Sequence, residues 1–275
     1  MQHAVRNRQV WLQAICLFWL ITSLLPLLWL VQLSLKTSGE AISGRSGFFF
    51  TPTLQNYTDL LRATDFPRFL VNSLLIGLGT TVLSLLLGVP AAYAFSRWTF
   101  RGSGLMMLWV LAVRMVPGLA YIIPVFVIYQ RLGLLDTRLG LILIYTVFNL
   151  ALVVWSMQAF FDEVPRSLEE SAYVDGASIL RGFLQIVLPL SAPGLVATAV
   201  LCFLFSWNEF LLALVLSRFE ARTAPVGITN FMAYEGIEWG RVAAGSVFVL
   251  IPVLLFTAVM RKYLVRGLLG GALKG

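Results

Sequence analysis

The sequence has very little with which to do acid–base, metal or disulfide chemistry. Its 275 residues hold one histidine, His3, and two cysteines, Cys16 and Cys202. Both thiols fall inside apolar runs, so neither a disulfide framework nor a metal site is expected. No GxxxxGK[ST] phosphate loop, HExxH or GxSxG motif occurs, so no catalytic residue is assigned and no cofactor is expected on this chain. If it moves a solute uphill, the energy must come from a partner or an ion gradient. Charge is scarce as well, at 12% of residues against 59% hydrophobic, with a mean hydropathy of +0.86. That balance excludes a soluble domain and indicates an all-α integral membrane protein, because backbone polar groups in lipid must be satisfied within a helix. The net charge of +7 is scattered between apolar runs, which speaks against nucleic acid as a partner.

What the chain does have is length in its apolar stretches. A membrane-crossing helix needs about 20 mainly apolar residues. Six stretches qualify, at about 11–33, 69–95, 105–129, 139–160, 194–216 and 242–264, within a single polytopic domain spanning 1–275. Arg6 and Arg8 before the first stretch imitate a secretory signal, but the run is too long for one and no small-x-small site closes it, so it reads as a retained span. Six spans put both termini on one side. Lys and Arg divide almost evenly between the two sides, so charge alone does not choose which.

Between the spans, the 36–68 segment carries Leu54, Tyr57, Leu60 and Leu61 at helical spacing after Pro52, the pattern of a short interfacial helix. Thr80, Ser84, Gly88 and Ala92 form a small-x-x-x-small ridge that lets a neighbouring helix approach closely. Pro90, Pro117 and Pro124 predict kinks in the second and third spans. Arg114 falls inside the third span, where insertion costs about 2.5 to 3.5 kcal/mol, so it should face the bundle interior, a water-filled cavity or a carboxylate. Two readings stand: a residue lining a solute pathway, or one half of a structural pair with Glu209. Asn149, Asn208 and Glu209 are the other polar groups within spans, and Trp207 is either an anchor or a sugar-stacking face.

The longest polar interruption that could lie on the inner side is the 162–190 loop. Pro165 suits a helix start, Glu169 and Glu170 suit its first turn, and Asp175-Gly176 breaks it. A second helix with Ile179, Phe183 and Ile186 on one face follows, with Pro189 ending it. A helix–turn–helix with one apolar face fits a groove on another protein. An ion-coupled secondary transporter and a membrane scaffold remain rivals, though no inverted repeat supports the former.

Here the residues resemble a known family. Glu170-Ser171-Ala172, then Asp175-Gly176-Ala177, then Ile186-Val187-Leu188-Pro189, with nine residues between Gly176 and Ile186, look like the EAA loop of ATP-binding-cassette (ABC) importer permeases. Ser171 stands where that family usually has Ala. NYTDLL (56–61), NSLLIG (72–77), GLLDTRLGLIL (133–143), SWNEFLLAL (206–214) and the ending GLLGGALKG (267–275) resemble the second permease of maltose-type carbohydrate importers. The resemblance implies a type I ABC importer permease fold in the bacterial inner membrane, with both termini cytoplasmic. It implies as partners a homologous permease, two ATPase subunits that bind ATP and Mg, an extracytoplasmic solute-binding protein, and a carbohydrate. Polyols and glycerol phosphates are alternative cargoes. Glu169, Glu170, Ser171, Ala172, Asp175, Gly176, Ala177, Ile186 and Pro189 would couple to the ATPase. Gly267, Gly271 and Lys274 in the 265–275 tail would reach between the ATPase subunits. Phe231, Tyr234, Glu235, Glu238 and Trp239 in the 230–240 loop would form a scoop that enters the binding protein. Arg114, Asn149, Asn208 and Glu209 are weaker candidates for the pathway, since in such relatives the partner permease supplies most substrate contacts.

Overall fold

A computed structural model describes residues 2–43, 47, 49–233 and 236–272. These form helices almost throughout. In chain order they are α1 (Gln2–Ser34), α2 (Ser38–Ser43), α3 (Gln55–Arg62), α4 (Phe66–Arg97), α5 (Ser103–Met115), α6 (Gly118–Leu132), α7 (Arg138–Asp162), α8 (Arg166–Val174) and α9 (Ile179–Gly182). A π-helical turn (Phe183–Val187) then leads to α10 (Leu188–Leu190), α11 (Ala192–Trp207), α12 (Leu211–Leu216), α13 (Ala224–Ile228) and α14 (Trp239–Ala272). A two-stranded antiparallel hairpin, β1 (Met232–Ala233) and β2 (Gly236–Ile237), precedes α14 and pairs Met232 with Ile237.

Four of these helices contain a segment long and apolar enough to cross a membrane: Trp11–Ser34, Phe66–Arg97, Arg138–Asp162 and Trp239–Ala258. Two bent pairs supply the fifth and sixth if each is one span. They are α5 with α6, bent by 94°, and Ile179–Leu190 with α11, bent by 77°. Helix breaks correct two expectations. The 105–129 stretch is not one helix, because Pro117 has no N–H to extend the ladder and its ring disfavours helical geometry at Val116, which is extended at ψ 126°. The 194–216 stretch also breaks, at Asn208–Phe210, and restarts as α12.

The chain divides into two compact units, Met1–Pro67 with Ile228–Ile251, and Arg68–Gly227 with Pro252–Gly275. In the first, the expected interfacial helix is α3, with Leu60 fully buried. Its Asn56 is buried and donates through one amide nitrogen to the carbonyls of Ser34 and Lys36, at 2.9 and 2.7 Å. Phe66 packs against Phe231 and Phe248.

In the second unit the small ridge of α4 is buried, Thr80, Ser84 and Ala92 completely. A Cβ on Gly88 would lie 2.6 Å from a Val153 methyl of α7, which shows how closely the two helices approach. One core cluster gathers Ile76, Tyr129, Leu141, Tyr145, Leu212 and Leu216; another gathers Val89, Tyr93, Val153, Met157, Phe161 and Phe183. Loops of this unit are fastened by side chains. Asn72 donates to the carbonyls of Glu220 and Arg222 at 2.8 and 2.9 Å, and its own oxygen accepts from Arg138 Nε at 2.7 Å. Asp136, left-handed at φ 56°, accepts the backbone N–H groups of Arg218, Phe219, Glu220 and Ala221 at 2.8 to 3.1 Å.

Candidate functional site

The 162–190 loop folds as a helical hairpin whose local geometry follows from its sequence. Pro165 precedes α8 at φ −59° and Glu169 lies in the first turn. The helix closes at Asp175-Gly176-Ala177. Gly176 is left-handed at φ +84°, its N–H donates to Tyr173 O at 3.0 Å, and the Ala177 N–H donates to Ala172 O at 2.9 Å. That pair of bonds is a Schellman cap, and it explains the glycine: a side chain there would be strained although space around it is open. Ser178 then caps α9, its hydroxyl accepting the Arg181 N–H at 3.3 Å.

The second helix does not end at Pro189, as its sequence suggested. The π-helical turn brings the Leu188 N–H onto Phe183 O, Pro189 follows in the first turn of α10, where a missing N–H is tolerated, and the break comes at Ser191.

The hairpin is latched to α4 by buried charge. Glu169 is 3% exposed, and its two oxygens accept from Arg97 Nε and the Tyr93 hydroxyl, each at 2.6 Å. The same guanidinium reaches Ser96 Oγ at 3.0 Å and Val164 O at 3.2 Å, while Arg166 donates to Ser96 O at 2.9 Å. Beneath the latch, Tyr93, Phe161 and Phe183 pack ring on ring, Tyr93 and Phe183 at 4.5 Å. Glu169 therefore faces its own chain. Glu170, Ser171, Asp175, Gly176 and Pro189 are exposed; Ala172, Ala177 and Ile186 are half-buried. The apolar residues Leu168, Val174, Ile179 and Leu180 also stand exposed on this hairpin, Val174 at 87%. Sequence reasoning passed over Ser178, although a serine directly before an apolar helical run is a capping signal. It could not find Arg97, which lies 72 residues from Glu169.

A second constellation sits where α5 and α11 break. Arg114 falls in the last turn of α5, where the helix dipole favours a cation, with its guanidinium 4.4 Å over the Phe205 ring. Neither Arg114 nor Glu209 makes an ion pair among the described residues, so the Arg114–Glu209 pair does not form. Glu209 instead caps α12, accepting the N–H groups of Leu212 and Ala213 at 2.9 and 3.1 Å and the Tyr145 hydroxyl at 2.8 Å. Arg114, Glu209 and Asn149 nevertheless line one cavity of about 150 Å³. Asn208 turns away, bonding Leu204 O at 2.8 Å from an exposed position.

The 230–240 loop is partly described, and Tyr234 and Glu235 lie outside the described residues. Phe231 is corrected from a surface contact to a core residue: it is 6% exposed, because its ring packs on Phe66. Trp239 is exposed, and Glu238 pairs with Arg241 at 2.7 Å. In the tail, Gly267 and Gly271 fall within α14, while Lys274 lies outside the described residues.

The family model described as binding-protein-dependent transport system inner membrane component matches residues 84–269. The chain belongs to this family of ABC transporter permeases. Among the permease's relatives, the trehalose transport system permease protein SugB of Mycobacterium tuberculosis is 41% identical over 256 residues, covering 92% of this chain and 93% of that one. The trehalose/maltose transport system permease protein MalG of Thermococcus litoralis is 36% identical over 259 residues, covering 93% of each. The permease is also similar to a chain of a bacterial ABC transporter involved in the import of the acidic polysaccharide alginate, with TM-score 0.77, 25% identity and coverage of 94% and 96%. Its fold is thus the type I importer permease fold read from the sequence, mostly helical, with the short β1–β2 hairpin as the one departure from all-α among the described residues.

Proposed function

We propose that this permease is one half of the translocation pathway of an ATP-driven carbohydrate importer in the bacterial inner membrane. A homologous permease supplies the other half, two ATPase subunits bind ATP and Mg, and an extracytoplasmic binding protein delivers the sugar. The observation that carries this reading is the exposed apolar edge of the α8–α9 hairpin, latched to α4 by the buried Arg97–Glu169 pair in a chain of this family. A latched hairpin moves with its span, so closure of the ATPases on the hairpin tilts the membrane helices between inward-open and outward-open states. The hairpin then lies in the cytoplasm and so do both termini, with Gly267, Gly271 and Lys274 near the ATPases and the 230–240 loop toward the binding protein. The cargo class rests on relatives named for trehalose and maltose.

Reconstitution of the four-part assembly in vesicles tests this. ATP-dependent accumulation of labelled trehalose or maltose is expected with the intact chain. Gly176→Val, placed at φ +84°, distorts the cap and should leave ATP hydrolysis while reducing uptake at least tenfold. Unimpaired uptake by that variant rules out coupling through the hairpin.

A further inference from the structure

We infer that the cavity at the two helix breaks is a sugar subsite belonging to this subunit, taking one ring of a neutral, hydroxyl-rich solute. The inference rests on the carbohydrate reading above and adds direct contact by this chain. Its first support is an unmet acceptor. Asn149 is 4% exposed, and its amide nitrogen donates to Tyr145 O at 2.9 Å and to Ser206 Oγ at 3.1 Å, while its Oδ1 has no hydrogen-bond partner. Buried polar atoms are nearly always paired, so an unpartnered oxygen on a residue that lines the cavity calls for a donor, and a sugar hydroxyl is one. The second support is an exposed cationic donor that no carboxylate engages. Arg114 lines the same cavity over the Phe205 ring, outside ion-pair distance of any carboxylate among the described residues. Its planar fork of N–H donors can give hydrogen bonds to two neighbouring hydroxyl oxygens.

Two further features choose among ligands. Tyr121 and Phe148 are stacked at 4.9 Å and 28° in the wall, offering the apolar surface on which a sugar's C–H face packs. Arg114 and Glu209 share that wall, so cation and carboxylate offset each other and the site carries no net charge to favour a uronate over a neutral sugar. The cavity, about 150 Å³, is below the ~300 Å³ from which pockets that enclose a whole drug-sized ligand begin, so it takes one ring and leaves the rest of the solute outside. Both helix breaks serve this site. One puts Arg114 at a helix end, and the other frees Glu209 to cap α12.

The test uses the complete assembly in vesicles with labelled maltose, trehalose and an alginate disaccharide, comparing the native chain with Asn149→Ala, Arg114→Gln and Arg114→Lys. The expected result is a tenfold or greater rise in the KM for neutral disaccharide uptake in Asn149→Ala and Arg114→Gln. Arg114→Lys should recover part of the loss. As a second readout, Phe148→Cys in a Cys16→Ser background should be shielded from a small maleimide by millimolar maltose. Unchanged uptake kinetics in both variants, or no shielding, overturns the subsite while leaving the importer reading intact. A preference for the alginate disaccharide overturns the neutral class. If the native assembly takes up none of these sugars but another solute, the carbohydrate reading itself fails, and the subsite for sugar with it.

Discussion

At the scale of single residues, the Arg97–Glu169 pair carries the largest electrostatic stake in the α8–α9 hairpin. Both side chains are nearly buried, at 7% and 4% exposure, so removing either leaves an unpaired charge in a poorly solvated place. Such losses cost about 3–5 kcal/mol, while replacing both partners with apolar residues is often neutral. Glu169→Ala is therefore expected to lower the thermal unfolding midpoint of the purified assembly sharply, and Arg97→Met with Glu169→Leu to recover much of it. A double mutant no more stable than the single one would show that the pair is not coupled. Asp136 is a second residue with a stake in charge. Partial burial pushes its carboxyl up, but four backbone N–H donors outweigh that and hold it below the usual carboxylate range. Its contribution to stability is thus fully present above the unfolded value of about 3.9 and is lost as pH falls through the lower folded value. Asp136→Asn, which puts an NH2 against those donors, should cost about 1–3 kcal/mol at pH 7. The gap between variant and native midpoints should shrink as the pH is lowered below about 4; a constant gap would mean that the carboxylate charge is irrelevant to the loop.

At the scale of elements, helix contacts depend on small residues where backbones come together. Gly88 is the tightest example on the α4 ridge, with a Val153 methyl 2.6 Å from the place of a Cβ. Gly88→Val should overpack this contact by about 1–3 kcal/mol and reduce the yield of inserted permease, whereas Gly104→Ala, in open space on α5, should not. Equal yields from both would show that the ridge is not a packing surface. The ridge could be read from the sequence because four-residue spacing puts its members on one helix face whatever that face meets. The hairpin turn could be read too, since a cap needs its glycine within a few residues of the helix it closes. The breaks at Met115–Gly118 and Trp207–Leu211 were harder. Pro117 announced a kink, but a bend of 94° depends on the packing of both arms. Nothing around Asn208 is a helix breaker; Glu209 becomes one only by capping α12. Asn56, Asn72 and Asp136 lay in motifs noticed for their family likeness, yet their work is to fasten loops. The carbonyls and N–H groups that Asn72 and Asp136 hold are about 80 to 150 residues away, beyond any local pattern.

At the scale of the whole molecule, exposed apolar side chains fall into two kinds that differ in what they require. Those of α1, such as Trp11, Phe18, Trp19 and Trp29, run along a helix with no buried residue in its apolar window and are satisfied by lipid. Those of the α8–α9 hairpin, Leu168, Val174, Ile179 and Leu180, sit among Arg166, Glu170, Asp175 and Arg181 in a polar segment, which suits a protein groove better than lipid. The two kinds should respond differently to charge. Val174→Asp with Leu180→Asp places two carboxylates on the docking edge while leaving the Arg97–Glu169 latch and the Gly176 cap untouched. This variant should insert at native yield, fail to retain the ATPase subunits through affinity purification, and lose sugar uptake together with binding-protein-stimulated ATP hydrolysis. Gly176→Val should instead keep the ATPases and lose only their coupling to uptake. The separation of these two outcomes distinguishes docking from transmission, and retention of the ATPases by the double-aspartate variant would place their contact elsewhere on the permease.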